Sequence, residues 1–148
     1  MSNTLEQWRP IAGLEGRYEV SNFGRVRSLT RVETHMRQGK PVTCRRLGRI
    51  LKPVRHRKGY LMVNIGIAGK PVMYTVHSLV AKTFLPVCPG TYGVGKWVVD
   101  HINEDKTDNR VENLQWLTNK ENVSTLAARA KIRAACSAQV RGINGRYI

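Results

Sequence analysis

Hydrophobic and polar residues alternate over much of the chain, a pattern typical of half-buried β-strands. The clearest case is the segment from Gly59 to Val76, in which Leu61, Val63 and Ile65 share one face. Ala68-Gly69-Lys70 interrupts the alternation with residues that favour a turn. The segment therefore predicts a β-hairpin with one face in a hydrophobic core.

A second hairpin is predicted near the amino terminus. Tyr18 to Ser21 and Arg25 to Leu29 have the length and composition of two short strands, and Asn22-Phe23-Gly24 supplies the turn between them. Val20, Val26 and Leu29 are the core candidates of this hairpin. We expect its other face to be polar and exposed.

Helical features are restricted to two places. His77 to Phe84 predicts a short helix, which Leu85-Pro86 would end because proline cannot continue it. Thr118 to Glu121 has the sequence of a capping box, which predicts a second helix start. That helix would continue with a weak apolar stripe from Val123 to Ala134.

The segment before the second helix predicts two strands around a polar loop. Trp97 to Val99 forms an apolar, β-branched run that would end at Asp100 and His101. Asn103 to Glu112 is almost wholly polar and has no periodicity, so it predicts a surface connection. Leu114 to Thr118 alternates again and predicts the second strand.

The sequence is strongly basic: it has 25 Lys plus Arg residues and 10 Asp plus Glu residues, a formal net charge of +15. Such an excess favours a polyanionic partner such as nucleic acid. No apolar stretch approaches the roughly 18 to 20 residues of a membrane span, and no signal peptide is visible, so we expect no membrane association.

The stretch from Val98 to Val123 resembles the HNH (ββα-metal) endonucleases. In that family Asp-His ends the first strand, a middle Asn precedes the second strand, and a last Asn sits in the following helix. The corresponding residues are Asp100, His101, Asn113 and Asn122. Each of them alone could equally be an ordinary turn or cap residue; the joint spacing favours the endonuclease reading.

The resemblance implies a role for each residue. His101 would be the general base, since a neutral imidazole is available near neutral pH. Asp100 and Asn122 would bind one divalent metal ion, Mg²⁺ or Mn²⁺, through hard oxygen ligands. Asn113 would contribute to catalysis indirectly, by hydrogen-bonding the loop and keeping His101 oriented.

The segment from Glu6 to Leu29 resembles the NUMOD4 motif, which precedes HNH cores in phage and intron-encoded homing endonucleases. We therefore predict an α+β fold, in which a small antiparallel β-hairpin module is followed by a ββα-metal (HNH) motif and a carboxy-terminal helix. The predicted domains are a basic, NUMOD4-like DNA-binding arm at 1–58 and an HNH endonuclease core at 59–148, with the ββα motif at about 97–135.

Basic residues are concentrated in the predicted arm. Arg25 and Arg27 would share one strand face, where they could enter a major groove, contact phosphate or remain a solvated surface. The segment from Arg31 to Lys58 is strongly basic, and we expect part of it to be mobile without DNA. The candidate DNA-binding residues are Arg25, Arg27, Arg45, Arg46, Arg49, Arg55, Arg57 and Lys58.

The predicted function is that of a metal-dependent DNA endonuclease of the HNH homing type, which hydrolyses phosphodiester bonds to 5′-phosphate and 3′-hydroxyl ends. The alternative is a catalytically silent DNA-binding regulator or packaging accessory protein with the same fold. The expected partner is double-stranded DNA, bound by a monomer or a homodimer.

Histidine and cysteine residues elsewhere predict no second metal site. His35 and His56 are expected at the surface and His77 in the packed interior. The three cysteines are isolated in the sequence, so we expect no structural zinc. Unpaired thiols fit a reducing compartment, and the expected location is cytoplasmic.

Overall fold

The computed structural model of the protein describes residues 5–67, 69–88, 97–125 and 130. The chain divides into two compact units, the first formed by Met1–Cys88 with Val99–Gln115 and the second by Pro89–Val98 with Trp116–Ile148. Predictions that fall on residues 89–96, 126–129 and 131–148 lie outside the described residues; they include Cys136 and the apolar stripe towards Ala134.

Short strands dominate the described residues. In chain order the elements are β1 (Trp8–Pro10), β2 (Tyr18–Ser21), β3 (Val26–Ser28), β4 (Arg31–Arg37), β5 (Lys40–Arg46), β6 (Arg49–Ile50), β7 (Val54–Arg55), β8 (Leu61–Ile67), β9 (Lys70–Thr75), α1 (Val76–Phe84), β10 (Trp97–His101), a 3₁₀ helix (Val111–Asn113) and β11 (Leu114–Thr118). Residues 119–125 are also helical. The predicted α+β class is confirmed.

The amino-terminal hairpin is confirmed and lies at the centre of a four-stranded antiparallel sheet with the order β1-β2-β3-β6. Val20 of β2 lies opposite Val26 of β3. Between them Gly24 has a φ of +79°, a left-handed conformation that glycine adopts without steric cost. The turn therefore forms where the sequence predicts it.

The second predicted hairpin forms the larger part of a three-stranded sheet with the order β7-β8-β9. Alternate residues of β8 face inward, and Val63 and Ile65 are at most 1% exposed. The chain then enters α1 directly from β9, as predicted from the sequence. The α1 helix ends at Phe84, just before the predicted stop at Leu85-Pro86.

One hydrophobic core of the first unit joins these elements. Val20 and Val26 come from the amino-terminal hairpin, Val63 and Ile65 from β8, and Val80 from α1, and all five are buried in one cluster. Packing therefore crosses residue 58, where the sequence places the boundary between arm and endonuclease core. As a division of functions, that boundary stays a prediction.

A third hairpin was not predicted from the sequence. Strands β4 and β5 pair along their whole length, from Arg31 opposite Arg46 to Arg37 opposite Lys40. Gln38 and Gly39 both have positive φ, 51° and 75°, which is the geometry of a tight two-residue turn. Most of its side chains are exposed, so there was no apolar face from which to predict it.

Two further expectations concern exposure. His35 and His56 are exposed, as predicted, and His77 is buried. Among the described residues, none of the helices has the length and apolar character that a membrane span requires.

Replacing Val20 by alanine tests the shared core. Val20 is fully buried, so Val20→Ala should lower the free energy of unfolding by roughly 2 to 3 kcal/mol through lost burial and a residual cavity. Val32→Ala is the matched control, because Val32 also lies in a strand but is 67% exposed. Urea denaturation measures both variants, and equal losses would contradict the assignment of the core.

Candidate active site

The end of β10 and the start of β11 bring Asp100, His101 and Asn113 into one region of the first unit. The two strands pair in a two-stranded sheet, as predicted from the sequence. The backbone N–H of Ile102 donates to the Asn113 carbonyl oxygen at 2.9 Å. Residues 102–113 therefore form a closed loop that begins immediately after His101.

Asn113 holds this loop together from within. Its Oδ1 accepts the backbone N–H of Asn103 at 2.9 Å, and its Nδ2 donates to the Asp108 carbonyl oxygen at 2.8 Å. Asn113 is buried, so all of its hydrogen-bonding capacity is directed at the loop. The hydrogen bonds across the loop that the sequence analysis assigned to Asn113 are present, while its part in catalysis stays a prediction.

The acidic residues of the loop are also engaged within it. Asp105 accepts hydrogen bonds from the Thr107 hydroxyl and backbone N–H at 2.6 and 2.9 Å, which lowers the pKa of Asp105. Asp108 pairs with the Arg110 guanidinium, which lowers the pKa of Asp108. These carboxylates shape the loop, a use typical of Asp in turns.

His101 is buried, with 4% of its surface exposed, and its ring is held by Asn109. The distance from His101 Nε2 to Asn109 Oδ1 is 3.1 Å. Asn109 Nδ2 in turn donates to the Thr107 carbonyl oxygen at 3.1 Å, and a carbonyl oxygen can only accept. Asn109 therefore presents its acceptor to His101, so Nε2 carries the proton of the neutral ring and Nδ1 has the lone pair.

Two aromatic rings pack around His101 on the side of α1 and β8. The centroid of the His77 ring lies 5.2 Å from that of His101 in an edge-on arrangement, and the Tyr60 ring lies 4.9 Å from His77. Lys106 of the loop lies 4.8 Å over the Tyr60 ring and donates to the Lys58 carbonyl oxygen at 3.1 Å. The contacts of His77, Tyr60 and Lys106 therefore hold His101 and the loop in place.

His77 is a neutral residue at physiological pH. Burial lowers the pKa of His77 to about 4, and the neighbouring His101 adds to the effect. Its Nδ1 is buried and has no hydrogen-bond partner among the described residues. His77 therefore packs directly beside His101. The sequence predicted that His77 is buried, but it did not predict this contact with the candidate site.

Asp100 is half-buried at the end of β10. Gln115 of β11 donates from Nε2 to Asp100 Oδ2 at 3.1 Å, which orients the carboxylate. Gln115 was not a candidate in the sequence analysis. The sequence feature that could have identified Gln115 is its position directly after Leu114, at the start of β11. This position is close to the Ile102–Asn113 hydrogen bond that joins β10 and β11.

Asn122 lies in the second unit, on the helical residues 119–125. The predicted capping box begins this helix: Thr118 Oγ1 accepts the Glu121 N–H at 3.2 Å, and Glu121 Oε2 accepts the Thr118 N–H at 2.8 Å. Asn122 is half-buried in the first turn. Its joint action with Asp100 on a metal ion stays a prediction.

The candidate DNA-binding residues differ in their surroundings. Arg25 forms an ion pair with Glu6, and Arg27 with Glu19. Both guanidinium groups also lie over the Trp8 ring, at 5.7 and 4.2 Å, so the two arginines share one face as predicted. The other candidates are exposed; they are Arg45, Arg46, Arg49, Arg55, Arg57 and Lys58.

A charged cluster on the unpredicted hairpin extends this basic surface. Glu33 accepts from Arg31 and Arg46 at 2.7 Å each and from Arg17 at 2.9 Å. Hydrogen bonds from Arg31 and Arg46 lower the pKa of Glu33 to about 2. Arg17 and Arg31 were not among the sequence candidates, and Arg31 could have been found from its spacing to Glu33, which places both on one strand face.

Comparison with known proteins identifies the family. A model of the NUMOD4 motif matches residues 6–66, and a model of an HNH endonuclease matches residues 74–124. The DNA endonuclease I-HmuI of Bacillus phage SP01 is 33% identical over 137 residues, which are 93% of this chain and 67% of that relative. The chain belongs to the HNH homing endonuclease family.

Other comparisons agree with this assignment. The uncharacterized HNH endonuclease L247 of Acanthamoeba polyphaga mimivirus is 36% identical over 126 residues, which cover 83% of this chain and 26% of the relative. A solved structure concerned with DNA binding and cleavage by the HNH homing endonuclease I-HmuI has a TM-score of 0.61 at 32% identity, and the match covers 92% of this chain and 68% of that chain. The predicted NUMOD4 motif and HNH fold are confirmed.

HNH endonucleases generally use a divalent metal ion, and the donor chemistry of this endonuclease fits one. The described residues contain no group of three or more His, Cys, Asp or Glu side chains arranged for a metal. A site of one carboxylate and one amide, as predicted for Asp100 and Asn122, does not need such a group, because Mg²⁺ keeps several waters as ligands. The thiols of Cys44 and Cys88 are free.

The lowered pKa of His77 predicts a stability change with pH. Between about pH 6.5 and 4 the unfolded endonuclease binds a proton at His77 that the folded one does not, so stability falls as the pH falls through this window. From pH 7 to 4.5 this contribution should be about 2 to 3 kcal/mol. His77→Phe removes it. Urea denaturation at both pH values should show a larger loss for the wild type, and equal losses would contradict the assignment.

Proposed function

We propose that this endonuclease hydrolyses phosphodiester bonds of double-stranded DNA to 5′-phosphate and 3′-hydroxyl ends, with His101 as the general base and one divalent metal ion, Mg²⁺ or Mn²⁺. The observation that carries the proposal is the state of His101. It is a buried imidazole with one nitrogen engaged by an oriented amide, next in the chain to a half-buried carboxylate, in a member of the HNH family.

His101 has the protonation pattern that a general base requires. Asn109 holds the proton on Nε2, so the lone pair of Nδ1 is available to take a proton from the attacking water. A fixed ring also avoids the entropic cost of orienting the base in each turnover. Asn113 contributes at one remove, because it closes the loop in which Asn109 lies.

Asp100 and Asn122 are the residues that would hold the metal ion. When bound, it supplies a Lewis acid for the phosphate and for the leaving 3′-oxygen. Gln115 orients the Asp100 carboxylate by its hydrogen bond to Oδ2. Asn113 has its side chain turned to the loop backbone and is proposed to contribute to catalysis through positioning alone.

DNA would be held by the basic surface of the NUMOD4 region and the adjoining strands. The net charge of +15 supports a polyanionic partner, and I-HmuI is a protein whose solved structure concerns DNA binding and cleavage. Arg25 and Arg27 are held on Trp8 by their ion pairs, which limits their rotamers before any contact with phosphate or base. The exposed residues Arg45, Arg46, Arg49, Arg55, Arg57 and Lys58 would add phosphate contacts.

Two further parts of the proposal concern the state of the protein. Free Cys44 and Cys88 support a reducing compartment, and we propose a cytoplasmic location. A monomer with one site would nick one strand, whereas a symmetric homodimer could cut both. The form of the product therefore reports the active assembly.

Cleavage of supercoiled plasmid by purified protein tests the proposed chemistry. The wild type should relax or linearise the plasmid with Mg²⁺ or Mn²⁺ and should be inactive with chelator, whereas His101→Ala should lose cleavage with either ion and still bind DNA. His35→Ala is the matched control, because His35 is exposed and distant in sequence from the site. Normal turnover by His101→Ala would remove His101 from the mechanism. DNA binding without cleavage by the wild type, on cognate DNA, would favour the silent regulator instead.

Replacing Asn109 tests the orientation of the base. Asn109→Ala removes the acceptor for Nε2, and the single-turnover cleavage rate should fall about 10- to 100-fold with the DNA dissociation constant unchanged. Asn109→Asp keeps an acceptor at that position and should retain more activity than Asn109→Ala. Asn64→Ala, at an exposed position of β8, is the control. An unchanged rate for Asn109→Ala would contradict the role of Asn109.

A further inference from the structure

The turn of the amino-terminal hairpin lies directly against the loop that carries Asn109. The backbone N–H of Val111 donates to the Asn22 carbonyl oxygen at 2.8 Å. A Cβ atom placed on Gly24 would lie 2.7 Å from Asn109 Cβ and 3.0 Å from the Asn109 carbonyl oxygen. The two segments thus touch through backbone atoms on both sides of the contact.

We propose that the turn from Asn22 to Gly24 is a positioning element for the catalytic base: it sets the place of Asn109, and through Asn109 the orientation and tautomer of His101. The proposal rests on the proposed function of His101. The turn lies in the NUMOD4 match at residues 6–66, whereas Asn109 and His101 lie in the HNH match at residues 74–124. One motif therefore completes the active site of the other.

Gly24 is required for two separate physical reasons. Its φ of +79° lies in the left-handed region, which favours glycine whatever the surroundings of the residue. The approach of Asn109 adds a second restriction, because contacts of 2.7 to 3.1 Å to three Asn109 atoms leave no room for a side chain. A side chain at Gly24 would therefore collide with Asn109, which is 3% exposed and packed against the turn.

The turn is itself anchored, so it can serve as a fixed reference for the loop. Asn22 is 5% exposed, and its Oδ1 accepts the Gln7 N–H at 2.8 Å. Ser21 Oγ accepts the Arg25 N–H at 3.0 Å across the turn. A clash at Gly24 would consequently displace Asn109 rather than the turn. The Asn109 side chain is hydrogen-bonded to Thr107 and to His101, so its displacement would change the orientation of His101.

Comparison of Gly24→Ala with Gly13→Ala separates the effect of the left-handed backbone from the effect of the close approach of Asn109. Gly13 has a φ of +78°, matching Gly24, but a Cβ placed there would meet nothing within 4 Å. Gly13→Ala therefore reports the cost of the left-handed backbone alone. We expect Gly24→Ala to lower the single-turnover cleavage rate by about 10- to 100-fold with an unchanged DNA dissociation constant, and Gly13→Ala to cleave at the wild-type rate.

A second variant removes the other tie and does not depend on Gly24→Ala folding. Val111→Pro deletes the N–H that Asn22 accepts. Arg110 already has the φ of −63° and ψ of 141° that a following proline favours, and position 111 begins the 3₁₀ helix, where proline is tolerated. Val111→Ala controls for the lost side chain. We expect a lower cleavage rate for Val111→Pro than for Val111→Ala, with equal DNA affinity.

The ¹⁵N spectrum of the histidine rings provides a readout that a general loss of stability would not move. His101 should show a protonated Nε2 in the wild type and in Gly13→Ala, and an altered Nε2 signal in Gly24→Ala or Val111→Pro. An unaltered signal together with an unaltered rate in a folded Gly24→Ala or Val111→Pro protein would overturn the proposal. So would an equal loss in Gly13→Ala or in Val111→Ala.

His101→Ala, assayed in parallel, keeps this proposal distinct from the one on which it rests. If His101→Ala is inactive while Gly24→Ala and Val111→Pro retain the rates of their controls, the general base stands and the positioning turn is refuted. If His101→Ala cleaves normally, the proposed function itself fails.

Discussion

A buried imidazole that acts as a base must satisfy one ring nitrogen inside the protein and keep the other available. For His101, the proposed base of this endonuclease, the hydrogen bond between His101 Nε2 and Asn109 Oδ1 would meet that requirement. The rest of the site follows from it, because Asn109 is useful only while its amide is oriented by Thr107 and its backbone is held in place. An uncompensated polar group at this depth would instead cost about 1 to 3 kcal/mol.

The loop that carries Asn109 is almost wholly polar apart from Ile102 and Val111, so packing alone could not define its shape. Hydrogen bonds define the shape instead: Asn113 binds the backbone of Asn103 near the start of the loop and of Asp108 in its middle, and Asp105 and Asp108 stabilise local turns. The rings of Tyr60 and His77, which lie outside the loop in the sequence, pack beside His101 and limit its movement. A loop built in this way combines a polar, solvent-facing surface with a fixed geometry.

The sequence predicted those parts that depend on local pattern. Strand alternation placed Val20 and Ile65 in the core, the Thr118 capping box began the last described helix, and the motif spacing pointed to His101. Asn109 and Gly24 could not be assigned in this way, because their contact joins residues far apart in the chain. The β4–β5 hairpin was missed for a different reason, since most of its side chains are exposed and neither face is buried in the core.

The shared core changes what the two family motifs mean as structural units. Val20 and Val26 from the NUMOD4 match pack in the same cluster as Val76 and Val80 from the HNH match. Segments as short as the two family matches have too little apolar surface for two independent cores, because the buried fraction of a chain rises with its size. A single shared core buries the apolar residues of both motifs, and it places the hairpin turn against the loop that carries Asn109. The close approach at Gly24 is thus a direct consequence of building one core from two motifs.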